Sequence, residues 1–265
     1  MPSQTFSFET SDGALLMGER HEKSGAPPLV FSNSLGTTRE MWADQVAALS
    51  SAFDIVLYDT RGHGKSRAHT GAYSLDRLTL DVVELLDFLQ LDRVHFCGLS
   101  LGGMTGQLLA ARAPERLNSL TLAATSAYMG PPAAWQQRIE LVQSKGMKAL
   151  EAAIREKWFA PKGNALNNAV DKAVKGLIET DPTGYAGCCA AIRDMDLRTL
   201  VPIITMPTLI LAGQDDTATP PEHSTFLKEA ILHASMSMLP GGHLINLEQP
   251  EAFTGALQTF LNNVK

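Results

Sequence analysis

The chain has 265 residues, 45% of them hydrophobic and 19% charged, and a formal net charge of −6. That length suits one α/β domain with an insertion or two small domains, and the acidic balance argues against a nucleic-acid partner while leaving a small anionic substrate open. Cys97, Cys188 and Cys189 are an odd count with two adjacent, so the sequence predicts a reducing, cytoplasmic setting and no disulfide framework; it shows no zinc-type Cys/His spacing, no signal-peptide pattern over Met1 to Arg20 and no apolar run of membrane-spanning length.

In chain order, Phe6-Ser7-Phe8 and Leu15-Leu16-Met17 flank Ser11-Asp12-Gly13 and read as a hairpin. Leu29-Val30-Phe31 is a short buried strand, followed by the small polar loop Ser32 to Thr37 and a helix over Met41 to Leu49. Ile55 to Tyr58 is another buried strand and runs into the glycine-rich loop Asp59 to Ser66. Ser74 is placed to cap a helix whose apolar positions from Leu75 to Leu89 keep helical spacing. Val94 to Cys97 is a strand, Leu101 to Ala113 a helix stopped at Pro114, and Leu117 to Ala124 a further strand. Strands and helices alternate, and the strands are apolar throughout, which predicts a mostly parallel sheet covered on both faces. The alternation breaks at Ser126. Four helical patterns follow, at Trp135–Gln143, Met147–Trp158, Ala165–Glu179 and Pro182–Arg193. The strand type resumes at Thr208–Ala212, then a helix from Pro220-Pro221 to about Leu232, a strand Ser235–Leu239 and a helix Pro250–Val264. The expected organisation is an α/β core domain of residues 1–126 and 199–265 with a helical cap of residues 127–198.

Gly98-Leu99-Ser100-Leu101-Gly102 sits at the strand-to-helix turn and fits G-x-S-x-G. A serine at the tip of such a turn has an exposed hydroxyl, and strand and helix approach so closely that the flanking residues must be small. By itself the pattern recurs by chance in about one chain in ten of this length. A serine nucleophile also needs a base and an orienting acid. His243 follows the last strand in Gly241-Gly242-His243 and is the expected base; His63, in the loop after Tyr58, is the second choice. The loop after Ala212 offers Asp215 and Asp216, of which Asp216 is the expected acid and Asp215 a turn or solvent-exposed residue. The order Ser100, Asp216, His243 is the one that the turn motif predicts. The Leu101 N–H, at a helix N-terminus, and the Leu35 N–H are the expected oxyanion donors. Gly64-Lys65-Ser66 imitates the end of a phosphate-binding loop, but position 59 is Asp where that motif needs Gly.

The insertion should roof Ser100 and set substrate choice. Trp135, Trp158, Phe159 and Tyr185 are available for an apolar lid wall, or pack among the cap helices. Arg138 and Arg193 are the cap arginines available for a substrate carboxylate, or are exposed surface charges.

The G-x-S-x-G turn, the Asp–His order, Asp59-x-Arg61-Gly62-x-Gly64-x-Ser66 and the helical insertion together resemble the α/β-hydrolase superfamily over essentially the whole chain. Phe31 to Thr37, Met41-Trp42, Gly184-Tyr185 and Cys188 to Asp196 resemble, more narrowly, the 3-oxoadipate enol-lactonases of bacterial aromatic catabolism. The resemblance implies the α/β-hydrolase fold and hydrolysis of a small anionic enol-lactone without metal or organic cofactor. It puts nucleophile, acid and base at Ser100, Asp216 and His243, with Leu35 and Leu101 as backbone donors. Asn33-Ser34 departs from the His-Gly of many superfamily members. A broad-specificity carboxylesterase or a carbon–carbon bond hydrolase on the same scaffold is the alternative, and a non-catalytic ligand receptor of the same fold is a more distant one.

Overall fold

The structure is a computed structural model that describes residues 3–160 and 167–264. Strands β1 (Gln4–Glu9) and β2 (Leu15–His21) form the expected hairpin, with Gly13 at φ +82° in its turn. There follow β3 (Pro28–Ser32), α1 (Ala43–Leu49), β4 (Asp54–Tyr58), α2 (Leu75–Phe88), β5 (Val94–Leu99), α3 (Leu101–Arg112) and β6 (Leu117–Ala123). Ser74 caps α2 by accepting the Arg77 N–H. Helices α4 (Pro132–Lys145), α5 (Glu151–Trp158), α6 (Asn167–Glu179) and α7 (Pro182–Asp194) come next, with no strand among the described residues there. The chain closes with β7 (Thr208–Gly213), α8 (Pro221–Ala230), β8 (Ala234–Leu239), α9 (Ile245–Glu248) and α10 (Pro250–Asn263). Residues 165 and 166 of the expected third insertion helix, and the Pro161-Lys162-Gly163 break, lie outside the described residues.

One eight-stranded sheet runs β1-β2-β4-β3-β5-β6-β7-β8; β2 pairs antiparallel with both β1 and β4, and all other pairs are parallel. Strands β3 to β7 are almost wholly buried, as their unbroken apolar runs require when helices cover both faces. From β3 the chain steps one way to β4, then back across β3 to β5. The reversal leaves a crevice at the carboxyl ends of β3 and β5, where open α/β sheets build their sites. Register pairs Ser32 with Gly98, so the loops after β3 and β5 leave the sheet side by side.

Candidate active site

Ser100 occupies the turn between β5 and α3 at φ 55°, ψ −112°, a conformation that costs a residue with a side chain about 1–3 kcal/mol. The surrounding backbone holds it there. Its N–H continues the sheet ladder to Ala123 O at 2.9 Å, and its carbonyl accepts Thr125 Oγ1 at 2.7 Å and the Met104 N–H at 2.9 Å. The flanking glycines are steric necessities: a Cβ at Gly98 would meet the Gly102 carbonyl, and one at Gly102 the Ser32 backbone.

The loop after β3 is tied to this turn. The Gly102 N–H donates to Asn33 O at 3.0 Å. The Asn33 side chain donates to Tyr58 O at 2.8 Å and accepts Trp42 Nε1–H at 2.9 Å. Asn33 therefore fixes the loop against two elements, which a His-Gly pair would do differently. Ser34 O accepts both the N–H and the hydroxyl of Thr37, at 3.1 and 2.8 Å. Among the described residues neither the Leu35 nor the Leu101 N–H has an acceptor, and Leu35 and Ser100 line one cavity.

His243, in the loop after β8, lines the same cavity and places Nδ1 2.9 Å from Asp216 Oδ2. Asp216 is held in turn by the Ala218 and Thr219 N–H groups on Oδ1, at 2.8 and 2.9 Å, and by the Thr219 hydroxyl on Oδ2, at 2.8 Å. Burial pushes the Asp216 carboxyl up, but the His243 ring and these donors outweigh it and hold the group below its ordinary range. It is thus an anion that favours Nδ1–H on His243, whose Nε2 has no hydrogen-bond partner among the described residues. Asp215 is exposed in the preceding turn, its N–H on Gly241 O at 2.8 Å. No hydrogen bond joins Ser100 Oγ to His243 among the described residues; both line the same cavity, and such contacts commonly tighten only around substrate.

His63, the second candidate base, is otherwise engaged. Its Nε2 accepts the Gly36 N–H at 2.9 Å and its Nδ1 lies 3.2 Å from Arg61 O. Burial lowers its pKa to about 4, so it is neutral. The rest of its loop is scaffolding as well. Asp59 accepts the Arg39 and Lys65 N–H groups, Arg61 joins buried Asp81 to Asp12, and Ser66 bridges Asp59 O to the Met17 N–H.

The cavity, of about 70 Å³, is lined from the sheet side by Ser34, Leu35, Ser100, Met104 and His243 and from the insertion by Trp135, Arg138, Ile154, Lys157, Trp158, Tyr185 and Ile192. Arg138 lies over the Trp135 ring, 4.9 Å from its centroid. Among the described residues neither Arg138 nor Lys157 has a carboxylate within ion-pair distance. Arg193, expected alongside Arg138, does not line this cavity. It pairs with Asp194 at 2.7 Å, donates to Gln136 at 2.6 Å and faces a separate groove. Phe159 is absent from the cavity wall and packs edge-on against Trp158.

Sequence reasoning did not single out Thr219, Lys157 or Ile192. Thr219 follows Asp216 by three residues in a turn, where side-chain-to-backbone bonding is expected. Lys157 follows the wall residue Ile154 by three, and Ile192 follows Tyr185 by seven, both same-face spacings on a helix. Among the described residues no group of three or more His, Cys, Asp or Glu is placed to hold a metal ion, and no helix is long and apolar enough to cross a membrane.

A family model described as alpha/beta hydrolase fold matches residues 27–250. The chain belongs to this family and is a hydrolase. It is 40% identical over 237 residues to 3-oxoadipate enol-lactonase 2 of Acinetobacter baylyi, covering 89% of this chain and 88% of that one. The crystal structure of the enol-lactonase from Burkholderia xenovorans LB400 superposes with a TM-score of 0.95 at 38% identity, covering 97% of this chain and 100% of that one. A thermophilic esterase from Thermogutta terrifontis, solved with malate bound, superposes with a TM-score of 0.92 at 26% identity, covering 98% and 99%.

Proposed function

We propose that the chain hydrolyses 3-oxoadipate enol-lactone to 3-oxoadipate by acyl transfer to Ser100, as a cytoplasmic step of aromatic catabolism. The observation that carries this reading is the juxtaposition along one small cavity of strained Ser100, Asp216-bound His243 and two cations, Arg138 and Lys157, that have no acidic partner among the described residues. The enol-lactonase relatives support the substrate class. His243 Nε2 takes the Ser100 proton as Oγ attacks the lactone carbonyl, and the Leu35 and Leu101 N–H groups receive the oxyanion. The ring C–O bond breaks, His243 returns the proton, and the released enol tautomerises to the ketone, which makes ring opening effectively irreversible. Water, deprotonated by His243, then cleaves the acyl-enzyme. Asp216 stabilises the imidazolium at both proton transfers. Residues 127–198 act as the cap over a core of 1–126 and 199–265, with Trp135 and Trp158 as wall and Arg138 facing the substrate carboxylate. The proposal gives Arg193 no part.

The test is the loss of enol-lactone ultraviolet absorbance on adding protein, with Ser100→Ala and a p-nitrophenyl ester run beside it. Fast lactone turnover, lowered at least about a thousandfold in folded Ser100→Ala, is the expected result. Fast ester turnover with a slow lactone reaction would replace this substrate with the esterase reading, which the malate-bound esterase neighbour favours.

A further inference from the structure

Tyr185 enters the sequence analysis as apolar wall, yet the structure gives it a polar feature that wall packing does not explain. Its side chain lines the cavity, is fully buried, and its hydroxyl has no hydrogen-bond partner among the described residues. A buried hydroxyl without a partner costs about 1–3 kcal/mol, so phenylalanine would be the more stable residue if packing were the sole role.

The ring is also held too firmly to seek a partner elsewhere. Tyr185 lies in the first turn of α7, with its N–H on Asp181 O at 2.9 Å. The preceding Gly184 packs directly on the Gly62 backbone, so neither glycine tolerates a side chain. A Cβ at Gly36 would stand 3.2 Å from Tyr185 Cε2, and the His63 ring centroid is 6.3 Å away. The loop after β3, the His63 loop and α7 thus clamp one aromatic ring. Burial pushes its hydroxyl up and keeps it protonated, a donor rather than an anion, while the nearby Arg138 guanidinium pulls in the opposite direction more weakly. A phenol O–H and a guanidinium with no acidic partner among the described residues line the same cavity as Ser100.

We infer that the Tyr185 hydroxyl and Arg138 form one carboxylate subsite, in which the tyrosine donates to an oxygen of the substrate's remote carboxylate and selects charged over neutral substrates. This rests on the function proposed above, of which it specifies the recognition step. Tyr185 acts on specificity and takes no part in the proton transfers at Ser100.

The test compares wild type with Tyr185→Phe, which keeps the ring and removes only the oxygen. Adipate, a six-carbon dicarboxylate, and adipamide, its uncharged counterpart, are titrated calorimetrically, and the thermal midpoint is measured in parallel. The expected result is adipate binding weakened about tenfold to a hundredfold, as for a hydrogen bond to a charged group. Adipamide binding should change less than about twofold, and the midpoint should hold or rise because an unpartnered hydroxyl is removed. Unchanged adipate affinity, no adipate binding by wild type, an equal loss for adipate and adipamide, or a Tyr185→Phe protein that fails to fold would each overturn the inference. Calorimetry does not depend on turnover. A protein inactive on the enol-lactone that still binds adipate through this hydroxyl refutes the proposed function and keeps the subsite.

Discussion

Two histidines stand in loops at the carboxyl ends of parallel strands, His63 after β4 and His243 after β8, and both are almost fully buried. They differ in what their ring nitrogens meet. At His63 both nitrogens face backbone, with the Gly36 N–H on Nε2 and the Arg61 carbonyl at Nδ1. At His243 the Nδ1 side meets an anion, Asp216, and the ring lines the cavity beside Ser100. Burial and loop position are common to both, so neither makes a base. What separates them is an acid on one nitrogen and an unengaged second nitrogen. In the proposed mechanism the first stabilises a transient imidazolium and the second accepts the proton.

The largest test of this contrast is paired alanine substitution. His243→Ala should lower kcat on the enol-lactone by about 10⁵ or more, because nucleophile and base act as a unit. His63→Ala should cost about tenfold or less, the value of one hydrogen bond that steadies Gly36 beside the Leu35 donor. Steady-state rates on folded proteins check both. A His63→Ala loss as large as that of His243→Ala would reverse the assignment.

The two adjacent aspartates sharpen the same point. Asp216→Asn should lower kcat by about 10⁴, since an amide at that position no longer favours Nδ1–H on His243. Asp215→Asn should leave kcat within about twofold, because its side chain is exposed in the turn. Equal effects would show that the acid is not read correctly from the 2.9 Å contact.

These contrasts also show what a sequence carries. The placement of Ser100, Asp216 and His243 at one sheet edge was legible because each sits at a fixed offset past a strongly apolar strand, and backbone geometry dictates who stands there: the glycines at 98 and 102, the turn at 213–216, Gly241-Gly242 before the histidine. The α/β alternation was legible for the same reason. The insertion was not, since a helix position faces the cavity or solvent according to how whole helices pack. Tyr185 and Ile192 are seven residues apart, nearly two turns, and share a wall; Arg193 is one further, about 100° around α7, and swings away to Asp194. Lys157 is an exposed lysine on α5 that borders the cavity three residues after buried Ile154, which nothing in its own sequence marks. The short helix α9 after His243 lies below the length at which periodicity is readable.

The smallest effect is in stability, and it tests the scaffold role of His63. The His63 pKa falls from an ordinary 6.5 to about 4 because burial disfavours the charged ring. Between those values the unfolded chain binds a proton that the folded chain does not, so stability rises with pH across the window. The contribution is fully present above about pH 6.5 and is lost as pH falls toward 4. Buried His95, also lowered by desolvation, acts in the same direction. Between pH 7 and pH 5 wild type should therefore lose about 2 kcal/mol more unfolding free energy than His63→Asn, which keeps a polar side chain but no titrating ring. Urea unfolding at the two pH values measures this. Parallel losses in the two proteins would mean that His63 is not the neutral, backbone-bound ring of this structure, and the distinction between scaffold and base would rest on His243 alone.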